Sequence, residues 1–270
     1  MNITFIGGGN MATAMIGGLL QQGWQAAAIR VVEIDAGVRA RIGRELGVAT
    51  DADPAAGIAG ADCVVLAIKP QQMRSAAQAL RAVLTSQLII TIAAGIRCVD
   101  LSRWLGGYPR IVRVMPNTPA LVLSGISGLY AMPAVAAAER ARAESVLNAV
   151  GRTLWLEREE QMDALTAVSG SGPAYVFYFI EALQQAAAEL GFGTGQARQL
   201  ALDTFAGAVK MAALSNDDAA TLRTRVTSRG GTTERALEVL ESDMVKQAVI
   251  RAVKAAAARS RELGDELGTD

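Results

Sequence analysis

The sequence predicts a two-part molecule: an α/β N-terminal half built on a parallel sheet, then an all-α C-terminal half. Three observations predict it. Short, apolar, partly β-branched runs alternate with helical periodicity through the first half, the pattern of buried strands joined by crossover helices. Beyond Gln161 no convincing strand remains, and long alanine-rich helical patterns take over. Between the first strand and the first helix stands Gly7-Gly8-Gly9, the kind of turn that opens the ligand edge of such a sheet.

The first strand, Asn2 to Ile6, is short and apolar, and the helix after the turn runs from Asn10 to Leu20. The turn reads G-x-G-x-x-A, with Gly7, Gly9 and Ala12 in the three defining places. Gly7 permits the tight turn, Gly9 lets backbone approach a pyrophosphate, and Ala12 lets helix and strand pack closely, with the anion at the helix's positive end. The context, directly after a strand and opening a helix, is the one this motif needs. It marks a Rossmann-type dinucleotide-binding domain, with Ile6, Gly7, Gly8, Gly9, Asn10 and Met11 as candidate cofactor-binding residues. The plain alternative is an ordinary strand-to-helix turn.

A second strand spans Ala28 to Glu33, followed by a helix through Arg39 to Leu46. An acid ending that strand faces the adenine ribose and accepts from its 2′-hydroxyl. Glu33 stands there, and its charge opposes a 2′-phosphate, partly offset by Arg39 and Arg41; NADH is favoured over NADPH. The alternative is an exposed loop acid. Ala61 to Ile68 is a fully apolar strand, suited to burial on both faces. Pro70 after it stiffens a loop at the carboxyl edge, and Lys69 reads equally as a ligand contact or a solvated cation. Leu88 to Ala93 is a further buried strand, closed by Ala94-Gly95-Ile96, whose small residues allow backbone close to a cofactor. Arg110 to Met115 runs into Pro116-Asn117-Thr118-Pro119, a rigid turn presenting the Asn117 amide and a hydroxyl. Ser127 to Ala131 and Thr153 to Leu156 form two more strands around a helix from Val135 to Val150.

The character changes near Glu159, which predicts a dinucleotide-binding domain over residues 1–160 and an all-helical dimerisation and substrate domain over residues 161–270. Helices are expected over Tyr175 to Leu190, Gly195 to Leu214 and Asp243 to Leu263. So few helices bury their apolar faces more easily if another subunit supplies part of the surface. Two small-residue motifs interrupt them. Ser169-Gly170-Ser171-Gly172-Pro173-Ala174 sets serines and glycines before a proline at a helix start. Val226-Thr227-Ser228-Arg229-Gly230-Gly231-Thr232-Thr233-Glu234 precedes the helix Arg235 to Leu240 and offers bare N–H groups and hydroxyls to a carboxylate. A simple capping box is the alternative there.

Composition narrows the partners. Lysine plus arginine equals aspartate plus glutamate at 26 each, so no broad footprint for nucleic acid or anionic membrane exists. With no histidine in 270 residues, a histidine-dependent metal site or triad is excluded, and no metal is expected. The first strand begins at once, so no signal peptide is expected, and no uninterrupted apolar run reaches membrane-spanning length. Cys63 and Cys98 read as buried thiols in a reducing cytoplasm.

Taken together, the motifs resemble those of the pyrroline-5-carboxylate reductase family along nearly the whole chain. The resemblance is carried by Phe5 to Met11, Ala67-Ile68-Lys69-Pro70-Gln71, Val114 to Pro119, Ser169 to Ala174 and Val226 to Thr233, in order. It implies reduction of 1-pyrroline-5-carboxylate to L-proline by hydride from NADPH or NADH, the last step of proline biosynthesis. It also implies an interlocked homodimer whose copies assemble further, often into a decamer. Substrate-binding roles fall by resemblance on Gly230, Gly231, Thr232, Thr233 and Glu159, and cofactor contacts on Ala67, Lys69, Pro70, Ala94, Gly95 and Asn117. Thr233 is the expected catalytic contact, hydrogen-bonding the ring nitrogen. The chain departs from the family at Glu33-Ile34-Asp35, where members preferring NADPH carry a small polar residue and an arginine. It departs also at Arg229, where many carry proline, and at Asp53, where some carry asparagine. A β-hydroxyacid dehydrogenase is the rival enzyme, but its catalytic lysine has no counterpart before Lys210. A non-catalytic dinucleotide-sensing module is the rival from another class.

Overall fold

The structure is a computed structural model that describes residues 1–269. Its first part is a doubly wound sheet. β1 (Ile3–Ile6) leads through the glycine turn into α1 (Asn10–Gln21), β2 (Ile29–Val32) into α2 (Ala36–Leu46), and β3 (Ala49–Asp51) into α3 (Pro54–Ile58). β4 (Cys63–Leu66) feeds α4 (Pro70–Leu80), β5 (Leu88–Thr91) feeds α5 (Cys98–Trp104), and β6 (Ile111–Met115), β7 (Gly125–Ala131), α6 (Ala137–Leu147) and β8 (Gly151–Trp155) complete the layer. The strand order is β3-β2-β1-β4-β5-β6-β7-β8. All neighbours are parallel except β6 and β7.

Alternation along each strand builds two cores, one on each face. Phe5, Val31, Val65 and Ile90 join Met15 and Leu19 of α1 and Val146 of α6. Ile6, Val32, Leu66 and Ile89 point the other way, to Met73 of α4 and Leu101 of α5. β1 has β2 on one side and β4 on the other, so the chain reverses direction across the sheet at β1. A crevice for ligands opens beyond the carboxyl ends of strands at such a switch point.

Three local features differ from expectation. β3 and α3 carry no strong periodicity: β3 is only three residues long, and α3 is a short turn capped by Asp53 with Pro54 in its first turn. Pro70 opens α4 rather than stiffening a loop, as its fixed φ and missing N–H suit a first helical turn. The helix expected over 135–150 is shorter, because Asn148–Val150 tightens into a 3₁₀ turn.

The chain falls into two compact units, residues 1–171 together with the chain from Ala256 on, and residues Gly172–Ala255. The sheet unit thus runs past residue 160, because α7 (Gln161–Leu165) packs on β7: Leu165 fills the space where Gly128 has no side chain. The second unit holds α8 (Gly172–Glu189), α9 (Thr194–Leu214), α10 (Ala219–Arg225), α11 (Thr232–Ser242) and the start of α12 (Val245–Leu267). No residue of α8 is buried, and Phe177, Tyr178, Leu190, Val209 and Leu214 expose most of their surface. No described helix is long and apolar enough to cross a membrane.

Candidate functional site

Each glycine of the first turn has a separate geometric task. Gly7 adopts φ +102°, its N–H donates to the Val32 carbonyl at 2.8 Å, and a Cβ there would lie 2.5 Å from the Ala67 carbonyl oxygen. Gly8 lies against Ile42, whose Cδ1 would overlap a Cβ there and would have to shift. Gly9 faces open space, and α1 starts on it without any side-chain cap. The first N–H groups of a twelve-residue helix are therefore presented, uncapped, to whatever lies beyond Gly9, as a pyrophosphate requires. Ile6 is buried beneath the turn, Met11 packs on the first core, and Asn10 is exposed.

Glu33 turns back onto this loop. Its Oε2 accepts from the Gly8 N–H at 2.8 Å and its Oε1 from the Asp35 N–H at 3.0 Å. Arg39 Nη1 donates to the carbonyls of Glu33 at 2.7 Å and Ile34 at 2.9 Å, pinning the corner after β2. Beside it opens a cleft of about 290 Å³, lined by Gly7, Glu33, Ile34, Pro54, Ile68 and Ser75 among others. Its walls suit one apolar ring system with a polar edge, so the residues present fit the adenosine half of a dinucleotide. Ala67 closes the far side of the Gly7 turn, while Lys69 caps α4, exposed and without an acidic partner among the described residues. Ala94 is exposed and Gly95, at φ +75°, is covered by Leu267.

Toward β6 the site contains an element that sequence reasoning missed. Arg113, 5% exposed, donates through Nη1 to Glu159 Oε1 at 2.8 Å, and the Cys98 N–H donates to the same oxygen at 2.7 Å. A lone arginine inside the apolar run Ile111-Val112-Arg113-Val114 was the available signal, because a charge in a buried strand demands a partner. Asn117 lies close to this corner, but both ends of its carboxamide are engaged: Oδ1 accepts from the Ile126 N–H at 2.9 Å, and Nδ2 donates to the Ser169 carbonyl at 3.1 Å. That carbonyl belongs to a π-helical turn, Thr166–Gly170, closed by the Ser171 N–H on the Thr166 carbonyl at 2.8 Å. The serine-glycine motif expected as a helix cap is thus a widened turn, and Asn117 takes up one carbonyl it frees. Cys63 and Cys98 are free and buried, and burial pushes both thiols above the ordinary cysteine range.

The other expected cluster lies in the helical unit, described by itself. Gly230 takes φ +72°, and Gly231 abuts Ser228 so closely that no side chain fits. Gly231 caps α11 without a side-chain bond, and Thr232 and Thr233 form its first turn. Glu234 Oε2 accepts from the Gly230 N–H at 2.5 Å, holding the loop from within the helix.

Comparison with known proteins identifies the family of the chain. Residues 159–263 match the family model described as pyrroline-5-carboxylate reductase dimerisation, and residues 2–95 match that described as NADP oxidoreductase, coenzyme F420-dependent. A curated pyrroline-5-carboxylate reductase of Pseudomonas aeruginosa is 48% identical over 98% of both chains. The chain belongs to the pyrroline-5-carboxylate reductase family. Among solved structures, the reductase of Coxiella burnetii is similar with a TM-score of 0.92 and 41% identity, covering 97% of this chain and 98% of its own. The Plasmodium falciparum pyrroline carboxylate reductase, solved with NADP bound, gives 0.88 and 28% identity over 98% of both chains. The expected reaction is therefore the one this reductase performs, reduction of 1-pyrroline-5-carboxylate with a nicotinamide dinucleotide.

Proposed function

We propose that the Gly230-Gly231-Thr232-Thr233 loop holds the substrate carboxylate and ring nitrogen while the glycine turn holds the cofactor pyrophosphate. The observation that supports it is the loop's construction. Gly230 sits at φ +72° in open space, Gly231 has no room for a side chain, an eleven-residue helix begins after them, and the hydroxyls of Thr232 and Thr233 have no partner among the described residues. Uncapped N–H groups at a helix's positive end are suited to a carboxylate. A dinucleotide held there would supply a hydride to C5 of the ring. As the C5–H bond forms, the C=N π pair moves onto nitrogen, which stays in the ring as the amine of proline and carries the one proton that the imine already holds. No histidine is present to donate it, so the imine enters protonated from solvent, and the Thr233 hydroxyl accepts from the ring N–H. The protein's own contribution is orientation and a water-poor site.

Thr233→Ala is expected to lower kcat/KM by about tenfold to a hundredfold, the range for a hydrogen bond to a charged partner. Thr233→Ser should retain most of the activity. Full turnover by the alanine variant in a steady-state assay would remove Thr233 from the mechanism.

The cofactor reading is NADH over NADPH, because the Glu33 carboxylate sits on the Gly8 N–H, where it meets a ribose hydroxyl favourably and a phosphate unfavourably. Arg39 beside Ile34 is the observation that favours NADPH instead. The exposed apolar faces of α8 and α9 fit burial against a second copy, so we infer a homodimer, with dimers building a decamer. Two free buried thiols fit a reducing cytoplasm.

A further inference from the structure

The last turns of α12 return to the sheet unit and seat on the segment after β5. Ser260 and Gly264 are this helix's buried residues, and Gly268 follows at the same spacing of four, which puts all three on one face. Ser260 Oγ donates to Asp163 Oδ1 at 2.7 Å. A Cβ on Gly264 would lie 3.0 Å from Arg97 Nη2, and one on Gly268 would lie 2.5 Å from Asp100 Oδ2. Arg97 Nη2 pairs with Asp265 at 2.7 Å and donates to the Arg261 carbonyl at 3.3 Å, while Arg103 Nη2 donates to the Gly268 carbonyl at 2.6 Å. Leu267 packs into the core formed by Ile96 and Leu101, and its Cδ1 stands 2.8 Å from where a Cβ of Gly95 would be.

The contacts of Leu267, Gly264, Asp265 and Arg261 fall on Gly95 and Arg97 in the loop at the carboxyl end of β5, while Ser260 and Gly268 anchor the same face to α7 and α5. The far end of the loop is fixed separately, by the Cys98 N–H on Glu159. The loop needs such support. Gly95 sits at φ +75°, a conformation that glycine reaches freely and also leaves freely. With the adenosine cleft beside β2 and the pyrophosphate turn after β1, a dinucleotide extends toward β4 and β5, so this loop walls its nicotinamide end.

We propose that the C-terminal turn of α12 is a strap that positions the loop after β5 for the cofactor, with Leu267 and Arg97 as its positioning residues. The inference rests on the reading of Ala94 and Gly95 as cofactor contacts. Leu267 is the principal anchor, since Asp265 is 65% exposed at its side chain and an ion pair so placed is weak. Gly264 and Gly268 serve close approach, and Gly95 leaves room for Leu267 above it.

The test is steady-state kinetics and dinucleotide titration on the full chain carrying Leu267→Ala, Leu267→Met or Asp265→Asn. Leu267→Ala is expected to raise the dinucleotide KM and Kd by about fivefold or more, with the KM for 1-pyrroline-5-carboxylate within about twofold. Leu267→Met, which conserves volume, should restore both. Asp265→Asn leaves the core intact and should move the same constants in the same direction by less. A lower thermal midpoint for Leu267→Ala with unchanged dinucleotide constants would overturn the strap. Ala94→Leu separates the two ideas, because it places bulk on the loop itself. If it weakens dinucleotide binding while Leu267→Ala does not, the strap alone fails; if Ala94→Leu changes nothing, the reading of the loop as a cofactor wall fails with it.

Discussion

Replacing Gly7 by alanine is expected to weaken dinucleotide binding severely and to lower turnover with it. The position demands φ +102°, and a Cβ there would press to 2.5 Å from the Ala67 carbonyl oxygen and 2.8 Å from Ile68 Cγ2. The nearer obstacle is backbone just past the end of β4, which cannot swing aside as a side chain can. Backbone strain and overpacking each cost about 1–3 kcal/mol, and the cheapest relief is to push the turn outward. That movement breaks the Gly7 N–H bond to Val32 and turns the open N–H groups beyond Gly9 away from the pyrophosphate. Taken at about 3 kcal/mol, the loss corresponds to roughly a hundredfold or more in Kd. Quenching of protein fluorescence on titration with NADH or NADPH reads it directly. Gly9→Ala, in open space, is the contrast: the fold should be untouched, and only the ligand's approach affected.

The second large effect concerns the ion pair of Arg113 and Glu159. Arg113 is 5% exposed, so Glu159→Ala leaves a buried guanidinium without its counter-charge and the Cys98 N–H without its acceptor. Breaking a buried pair from one side costs about 3–5 kcal/mol, a large part of a typical domain's stability. Glu159→Gln keeps an oxygen for both donors and should lose less. The double variant Arg113→Met with Glu159→Gln should lose less than Glu159→Ala, since no unpaired charge remains. Denaturant unfolding of the four proteins gives the order: wild type, then Glu159→Gln, then the double variant, then Glu159→Ala. Equal stability of Glu159→Ala and wild type would show that the pair carries no structural load.

These two sites also mark how far the sequence is legible. The turn at Gly7 to Gly9 is local. A strand, three glycines and a helix in succession fix the geometry, and Gly7 takes the positive φ its place suggests. Parallel strands such as Cys63–Leu66 and Leu88–Thr91 announce themselves as nearly continuous apolar runs, because burial on both faces leaves little place for polar side chains. The loop at Gly230 is legible for the same reason as the first turn. The Arg113–Glu159 pair spans 46 residues, and nothing local in either segment names the other. Asn117 illustrates a different gap: a rigid turn predicts that the amide is held in place, yet not that Ile126 and Ser169 use both its ends. The return of α12 is hidden too, since alanine-rich periodicity to Leu263 gives a helix but not its seat. Only the glycines at 264 and 268 mark that a close neighbour exists.

The central claim is that this chain transfers hydride from a reduced nicotinamide dinucleotide to the imine carbon of 1-pyrroline-5-carboxylate. Its most direct test is the fall in reduced-nicotinamide absorbance with that substrate, run separately with NADH and NADPH, with proline identified as product. Turnover with proline formed, and a higher kcat/KM for NADH set by Glu33, is the expected result. Binding of both dinucleotides with no turnover of the imine would contradict the assigned chemistry and leave a nucleotide-sensing protein in its place.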